Sequence, residues 1–240
     1  MVVHADADML ARAVAARLVT HLVDAQAARG VASVVVTGGG VGTAVLREVR
    51  DSPARDAVDW TRVDVWWGDE RWVPAADPQR NELQAREALL DAVPLDPARV
   101  HAFPAADGPH AGDPVAAAAA YAATLAAAGD GGLPRFDVLM LGMGEEGHVA
   151  SIFPESPAAS DERTVAAVFG CPKPPPTRLT LTFPVIRSAT EVWIVAAGAG
   201  KAGPAARALG GASPLQVPAA GARGRTATRY LLDRAAAGLR

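Results

Sequence analysis

Residues 142–148, Gly-Met-Gly-Glu-Glu-Gly-His, place two carboxylates and an imidazole side by side. A neutral histidine is a natural general base near neutral pH, because its unperturbed pKa is about 6.5. Glu146, two residues before His148, has the reach to hold the ring in one tautomer. The competing reading is a surface histidine, and position alone does not separate the two. The run 142–147 also fits G-x-G-x-x-G, with Asp161 and Glu162 near the spacing of a dinucleotide fingerprint. Two features oppose that reading: Glu145 and Glu146 point charge at a pyrophosphate, and Pro154 interrupts the helix such a loop should open.

A second group is Gly38-Gly-Gly-Val-Gly-Thr43. Glycines between a strand and a helix let the backbone approach an anion, and the helix N-terminus favours negative charge. Gly39, Gly40 and Thr43 are the candidates here, against the alternative of a tight turn with no ligand. The run is neither G-x-G-x-x-G nor a Walker loop, since no Gly-Lys-Ser/Thr follows. A third group, Gly68-Asp-Glu-Arg71, lies between Trp67 and Trp72. Arg71 suits a phosphate or carboxylate clamp; the alternative is a local salt-bridge cluster. Lys201, in Gly198-Ala-Gly-Lys, opens an expected helix and would add positive charge toward an anion. Metal-binding and α/β-hydrolase signatures are both missing, with no H-E-x-x-H, no paired cysteines and no G-x-S-x-G.

These groups need strands and helices to converge. Met9–Ala28 carries Leu10, Val14, Leu18, Leu22 and Val23 on one helical face and ends at Gly30. Short apolar runs predict strands at Ser33–Thr37, Val63–Trp67, Phe136–Leu141, Arg178–Leu181 and Glu191–Ala196. Helices are predicted at Thr43–Val49, Gln79–Leu90, Ala116–Ala127, Ala202–Leu209 and Thr226–Leu239, with a helical turn at Pro184–Ser188. The Gly129–Gly132 run ends the alanine-rich helix as a turn. The alternation predicts a Rossmann-like three-layer α/β/α sandwich with a mostly parallel sheet, in a single domain over 1–240. In such sheets ligands bind at the carboxyl ends of the strands. The loops 38–43, 68–73 and 142–148 all fall there.

Composition narrows the function further. Half of the 240 residues are hydrophobic, the net charge is −3, and no basic block exists. Nucleic acid is therefore excluded as a partner, because affinity for a phosphate backbone needs clustered cations. The longest apolar run, 115–128, is shorter than the roughly 20 residues that span a bilayer. The start lacks the basic and continuously apolar regions of a signal peptide. Cys171 is the only cysteine, beside Pro172, and cannot form an internal disulfide. The expectation is a cytoplasmic protein without a membrane partner. Lys173 and Lys201 are the only lysines, so each merits attention. His4, His21, His101 and His110 read as surface residues.

Taken together, Thr37–Gly40, Trp67-Gly-Asp-Glu-Arg-Trp-Val-Pro74 with Asn81, Leu141–Pro154, Arg178-Leu-Thr-Leu-Thr-Phe-Pro184 and Gly198–Lys201 resemble the 6-phosphogluconolactonase family. The blocks run in family order over 33–202. The sister glucosamine-6-phosphate deaminases share the Gly-His loop but typically show Asn-Glu-Pro where this chain has Ser151-Ile-Phe-Pro154. Two departures stand out: Glu146 replaces the usual Asp, and the 38–43 loop is richer in glycine than the family form.

The resemblance implies hydrolysis of 6-phospho-D-glucono-1,5-lactone to 6-phosphogluconate in the oxidative pentose phosphate pathway. It implies His148 as the base that activates water and Glu146 as the residue that orients it. Arg71 and Lys201 are expected on the phosphate, assisted by Gly39, Gly40 and Thr43, with Arg178 a further candidate and Asp69 in support. Backbone N–H groups of the 142–147 loop are expected to stabilise the oxyanion, worth about 3 kcal/mol per donor. No metal or organic cofactor is expected, and the chain should act as a monomer or weak homodimer. Alternatives are a deaminase or isomerase on amino sugar phosphates, or a non-catalytic phosphosugar binder.

Overall fold

The computed structural model describes residues 1–129 and 132–239. In chain order the elements are β1 (Val2–His4), α1 (Ala7–Arg29), β2 (Ala32–Val36), α2 (Gly39–Asp51), β3 (Val63–Trp67), β4 (Asp69–Arg71), α3 (Asn81–Ala88), β5 (Val100–His101) and α4 (Pro114–Ala128). There follow β6 (Val138–Gly142), β7 (Val165–Val168), β8 (Arg178–Leu181), α5 (Phe183–Ile186), β9 (Glu191–Ala196), α6 (Ala202–Leu209) and β10 (Ala227–Asp233). Asp130 and Gly131 of the expected 129–132 turn lie outside the described residues.

Seven strands form a parallel sheet in the order β1-β10-β9-β6-β2-β3-β5. Its central strands read as unbroken apolar runs because both faces are covered: all five residues of β2 and all six of β9 are buried. Helices α1 and α2 pack on each other and against strands of this sheet, and α3 packs on α2. The fold is thus the expected three-layer α/β sandwich. A small antiparallel sheet, β4-β8-β7, sits beyond the carboxyl end of β3, and α4 packs against β7 and β8. Trp66, Trp67 and Trp193 are among the largest fully buried side chains.

Two differences from the sequence expectations concern the ends of elements. The segment Thr226–Leu239 is not a helix: Ala227–Asp233 forms β10, followed by turns. Its residues could serve either state locally. The slot between β1 and β9 decides, because β10 satisfies its backbone on both edges there while burying Tyr230, Leu231 and Leu232. Helix α2 begins at Gly39 rather than Thr43. The glycine run is therefore the first turn of the helix itself, and its amide groups are among those a helix leaves without internal partners.

Candidate active site

The carboxyl ends of β2, β3, β6 and β9 open onto one cavity of about 390 Å³. Gly39, Gly40, Asp69, Arg71, His148, Arg178 and Lys201 all line it. Thr43 does not. One helical turn into α2, it faces a neighbouring groove shared with Gly39, Gly40, Arg47 and Arg71. Glu146 stands behind His148, outside the lining.

The sheet edge explains how Asp69 and Arg71 come to act together. Side chains alternate along a strand, so β4 turns residues 69 and 71 to the cavity and Glu70 to the opposite side. Glu70 is buried and accepts hydrogen bonds from the backbone N–H groups of Asn81 and Glu82, at 2.7 and 2.9 Å. It thereby caps α3, a position that favours a carboxylate. Burial pushes the Glu70 carboxyl up, against the pull of Arg80 and three backbone donors. The cap brings Asn81 to the cavity wall, where its Nδ2 donates to the Asp69 carbonyl at 2.9 Å. Gly38 is required opposite it, because a Cβ there would collide with Asn81 Oδ1.

Asp69 is buried and accepts a hydrogen bond from Ser151 Oγ at 2.6 Å. It is therefore anchored, in keeping with a supporting role. Arg71 donates through Nη1 to the Gln79 carbonyl at 2.5 Å, while its buried Nε has no protein partner. Arg178 donates through Nε and Nη2 to the carbonyls of Lys173, Pro174 and Pro175, and its Nη1 lies 3.9 Å from Asp69. Its guanidinium fixes the proline-rich loop.

His148 Nδ1 lies 3.1 Å from Glu146 Oε1. The ring N–H is not aligned for a hydrogen bond, so the contact is electrostatic. A carboxylate on that side favours the proton on Nδ1 and leaves Nε2 with the lone pair. The ring packs on Phe153 with centroids 4.5 Å apart. Burial lowers the His148 pKa and outweighs the upward pull of Glu146. The imidazole is thus neutral, and able to accept a proton, further into the acid range than a free histidine. Burial pushes the Glu146 carboxyl up, but its own backbone N–H, Lys173 and His148 outweigh that and hold it below the usual range. Burial likewise lowers the Lys201 pKa, against Glu145.

These directions predict a pH effect. Glu146→Gln removes the larger of the two carboxylate influences that raise the His148 pKa, leaving Asp69, so the pKa falls further. The acid limb of a kcat/KM profile, which reports the free enzyme, then moves to lower pH with a lower plateau. A limb that stays in place would remove Glu146 from the charge balance of the base.

Of the other cavity residues, sequence reading missed Asp8; it singled out Thr37, Asn81 and Lys173 without giving them a place in the site. Thr37 Oγ1 accepts from the Gly142 N–H at 3.2 Å and so ties the end of β2 to the end of β6. Lys173 had a usable signal as one of only two lysines. The loop amides are largely committed: Gly142 N–H to Thr37, Gly144 N–H to the His148 carbonyl and Gly147 N–H to the Gly144 carbonyl. The expected oxyanion role therefore does not fall to the glycine amides of this loop. No helix follows 142–147 either, which disposes of the dinucleotide reading. His101 is no free surface residue: it stacks on Trp66 at 3.8 Å and meets Asp64 at 3.0 Å. Among the described residues no three His, Cys, Asp or Glu side chains gather as a metal site, and no helix is long and apolar enough to cross a membrane.

A parallel α/β sheet whose strand ends carry a helix N-terminus, a cluster of cations and a neutral imidazole defines a pocket for a small anionic substrate open to acid–base chemistry. Comparison with known proteins agrees. Residues 5–231 match the family model described as glucosamine-6-phosphate isomerases/6-phosphogluconolactonase. The chain is 58% identical to a 6-phosphogluconolactonase of Streptomyces coelicolor, over 99% of this chain and 93% of that one. It is 50% identical to a 6-phosphogluconolactonase of Mycobacterium tuberculosis, over 97% and 94%. A 6-phosphogluconolactonase structure from Trypanosoma brucei superposes with a TM-score of 0.83 at 28% identity, covering 99% of this chain and 97% of that one. The chain belongs to the glucosamine-6-phosphate isomerase/6-phosphogluconolactonase family.

Proposed function

We propose that this chain hydrolyses 6-phospho-D-glucono-1,5-lactone to 6-phospho-D-gluconate, the lactone-opening step of the oxidative pentose phosphate pathway. The observation that carries the reading is one cavity holding His148, Arg71 and Lys201 together, in a chain 58% identical to a 6-phosphogluconolactonase. His148 Nε2 takes a proton from water as the oxygen attacks the lactone carbonyl carbon. The tetrahedral intermediate collapses, the bond from that carbon to the ring oxygen breaks, and the imidazolium returns its proton to the leaving alkoxide. The new carboxylic acid then ionises. Charge developing on the carbonyl oxygen meets the positive field of the cavity's cations. The chemistry calls for no metal or organic cofactor, because a lactone carbonyl is reactive toward activated water.

Arg71, Lys201 and the amides at Gly39 and Gly40 are assigned to the phosphate. Hydrogen bonds to charged groups are worth about 1.5–3 kcal/mol, so Arg71→Met should raise KM roughly 10–100-fold with a smaller change in kcat. Lys201→Met should act in the same direction. Steady-state kinetics separate the parameters, and an unchanged KM removes that residue from phosphate binding. The same reading has one domain over 1–240 acting as a monomer or weak homodimer in the cytoplasm.

The activity is tested by generating the lactone from glucose 6-phosphate with its dehydrogenase. At pH about 6.5, below the range where hydroxide attack is fast, opening is compared with a blank. Acceleration over the blank supports the reading. Equal rates, or ammonia release from glucosamine 6-phosphate, overturn it.

A further inference from the structure

We propose that Lys173 is a positioning residue for this reaction, acting on His148 through Glu146; the inference rests on the lactonase reading above. Lys173 projects from the loop 171–177 to the cavity wall, and its Nζ lies 3.0 Å from Glu146 Oε2. The other carboxylate oxygen, Oε1, is the one that faces His148 Nδ1. One carboxylate is thus shared between an ammonium and an imidazole.

The loop is built to hold the lysine there. Arg178 binds the carbonyls of residues 173, 174 and 175, and the Cys171 N–H donates to the Pro176 carbonyl. Proline at 172 and 174–176 leaves the backbone little freedom. An exposed lysine would ordinarily gain little from a surface pair. Here the backbone is fixed beforehand, so less freedom is lost when the pair forms.

The charges facing His148 are Glu146, Lys173 and Asp69. Those facing Lys173 are Glu146 and the other cavity lysine, Lys201. Lys173 lowers the His148 pKa, opposing Glu146 and Asp69. It therefore adds to the burial that keeps the imidazole unprotonated against the two carboxylates. Glu146 also hydrogen-bonds its own backbone N–H, so it stays beside the ring when Lys173 is lost.

The test uses Lys173→Met and Lys173→Arg in the intact protein, with two readouts. In an NMR titration of His148, Lys173→Met should raise the imidazole pKa, while Lys173→Arg should leave it near the wild-type position. In lactone hydrolysis, the acid limb should move to higher pH in Lys173→Met, so that kcat falls on the acid side of the profile. KM should change little, and arginine should restore most of the rate. A His148 titration that stays in place or moves down overturns the proposal. So does a raised KM with unchanged kcat, which would make Lys173 a substrate ligand. Failure of the wild type to open the lactone defeats the functional reading, yet the titration still decides the role of Lys173.

Discussion

His148→Ala should lower kcat for lactone opening by roughly 10²–10⁴-fold, the range for a general base, and leave KM nearly unchanged. The loss falls on kcat because the imidazole is needed only when water is deprotonated. The phosphate is assigned to Arg71 and Lys201, which the substitution does not touch. The fold should survive. His148 lies on a loop at the end of β6 and packs one face on Phe153, outside the central core. A thermal melt within a few degrees of the wild type, with the lactone assay beside it, checks both halves. A loss under fivefold would sink the assignment. Attention would then move to Asp69, a buried carboxylate of the cavity held by Ser151.

Gly144→Ala should be nearly as damaging, although Gly144 performs no chemistry. A Cβ at this position would overlap His148 Nδ1 and fall 2.7 Å from Glu146 Oε2. The backbone has little room to yield, because the Gly144 N–H is bonded to the His148 carbonyl and the Gly147 N–H to the Gly144 carbonyl. The imidazole must therefore turn away from Glu146. A displacement of about 1 Å in a reacting group costs on the order of 10²-fold. The double variant with His148→Ala should be no worse than His148→Ala alone, since both remove the same positioned base. Full activity in Gly144→Ala would mean that the loop adopts another path in the working enzyme.

The extent to which all this could be read in the chain varies from residue to residue. Strands β2, β3, β6 and β9 were legible because a parallel strand covered on both faces reads as an apolar run, and the segments after all four carried candidate residues. Arg71 and Asp69 were legible as charges at a strand end, but their pairing in a second sheet was not. β4 is three residues long and exists only because β8, more than a hundred residues later, supplies its partner. The end of the chain was misread for the same reason: nothing local tells residues 227–233 that two open strand edges await them. Thr43 looked like a phosphate donor while the glycine run was taken as a loop. Once that run became the first turn of α2, the side chain moved round to the next groove. Arg178 was legible as a cavity cation by its type, but its clamp on the lysine loop was not.

What the sequence by itself determined is the chemistry and the layer order. A histidine beside a carboxylate, glycines at a strand–helix junction and alternating elements are all encoded over short spans, where spacing dictates geometry. Tertiary structure alone decided which charges share a field. The Lys173 contact with Glu146 joins positions 27 residues apart, and the Ser151 contact with Asp69 joins positions 82 apart. Coulombic and hydrogen-bond energies depend on distance in space, while the sequence records only distance along the chain. The base could therefore be named from its neighbours, but its pKa, its tautomer and the lysine behind it had to wait for the fold.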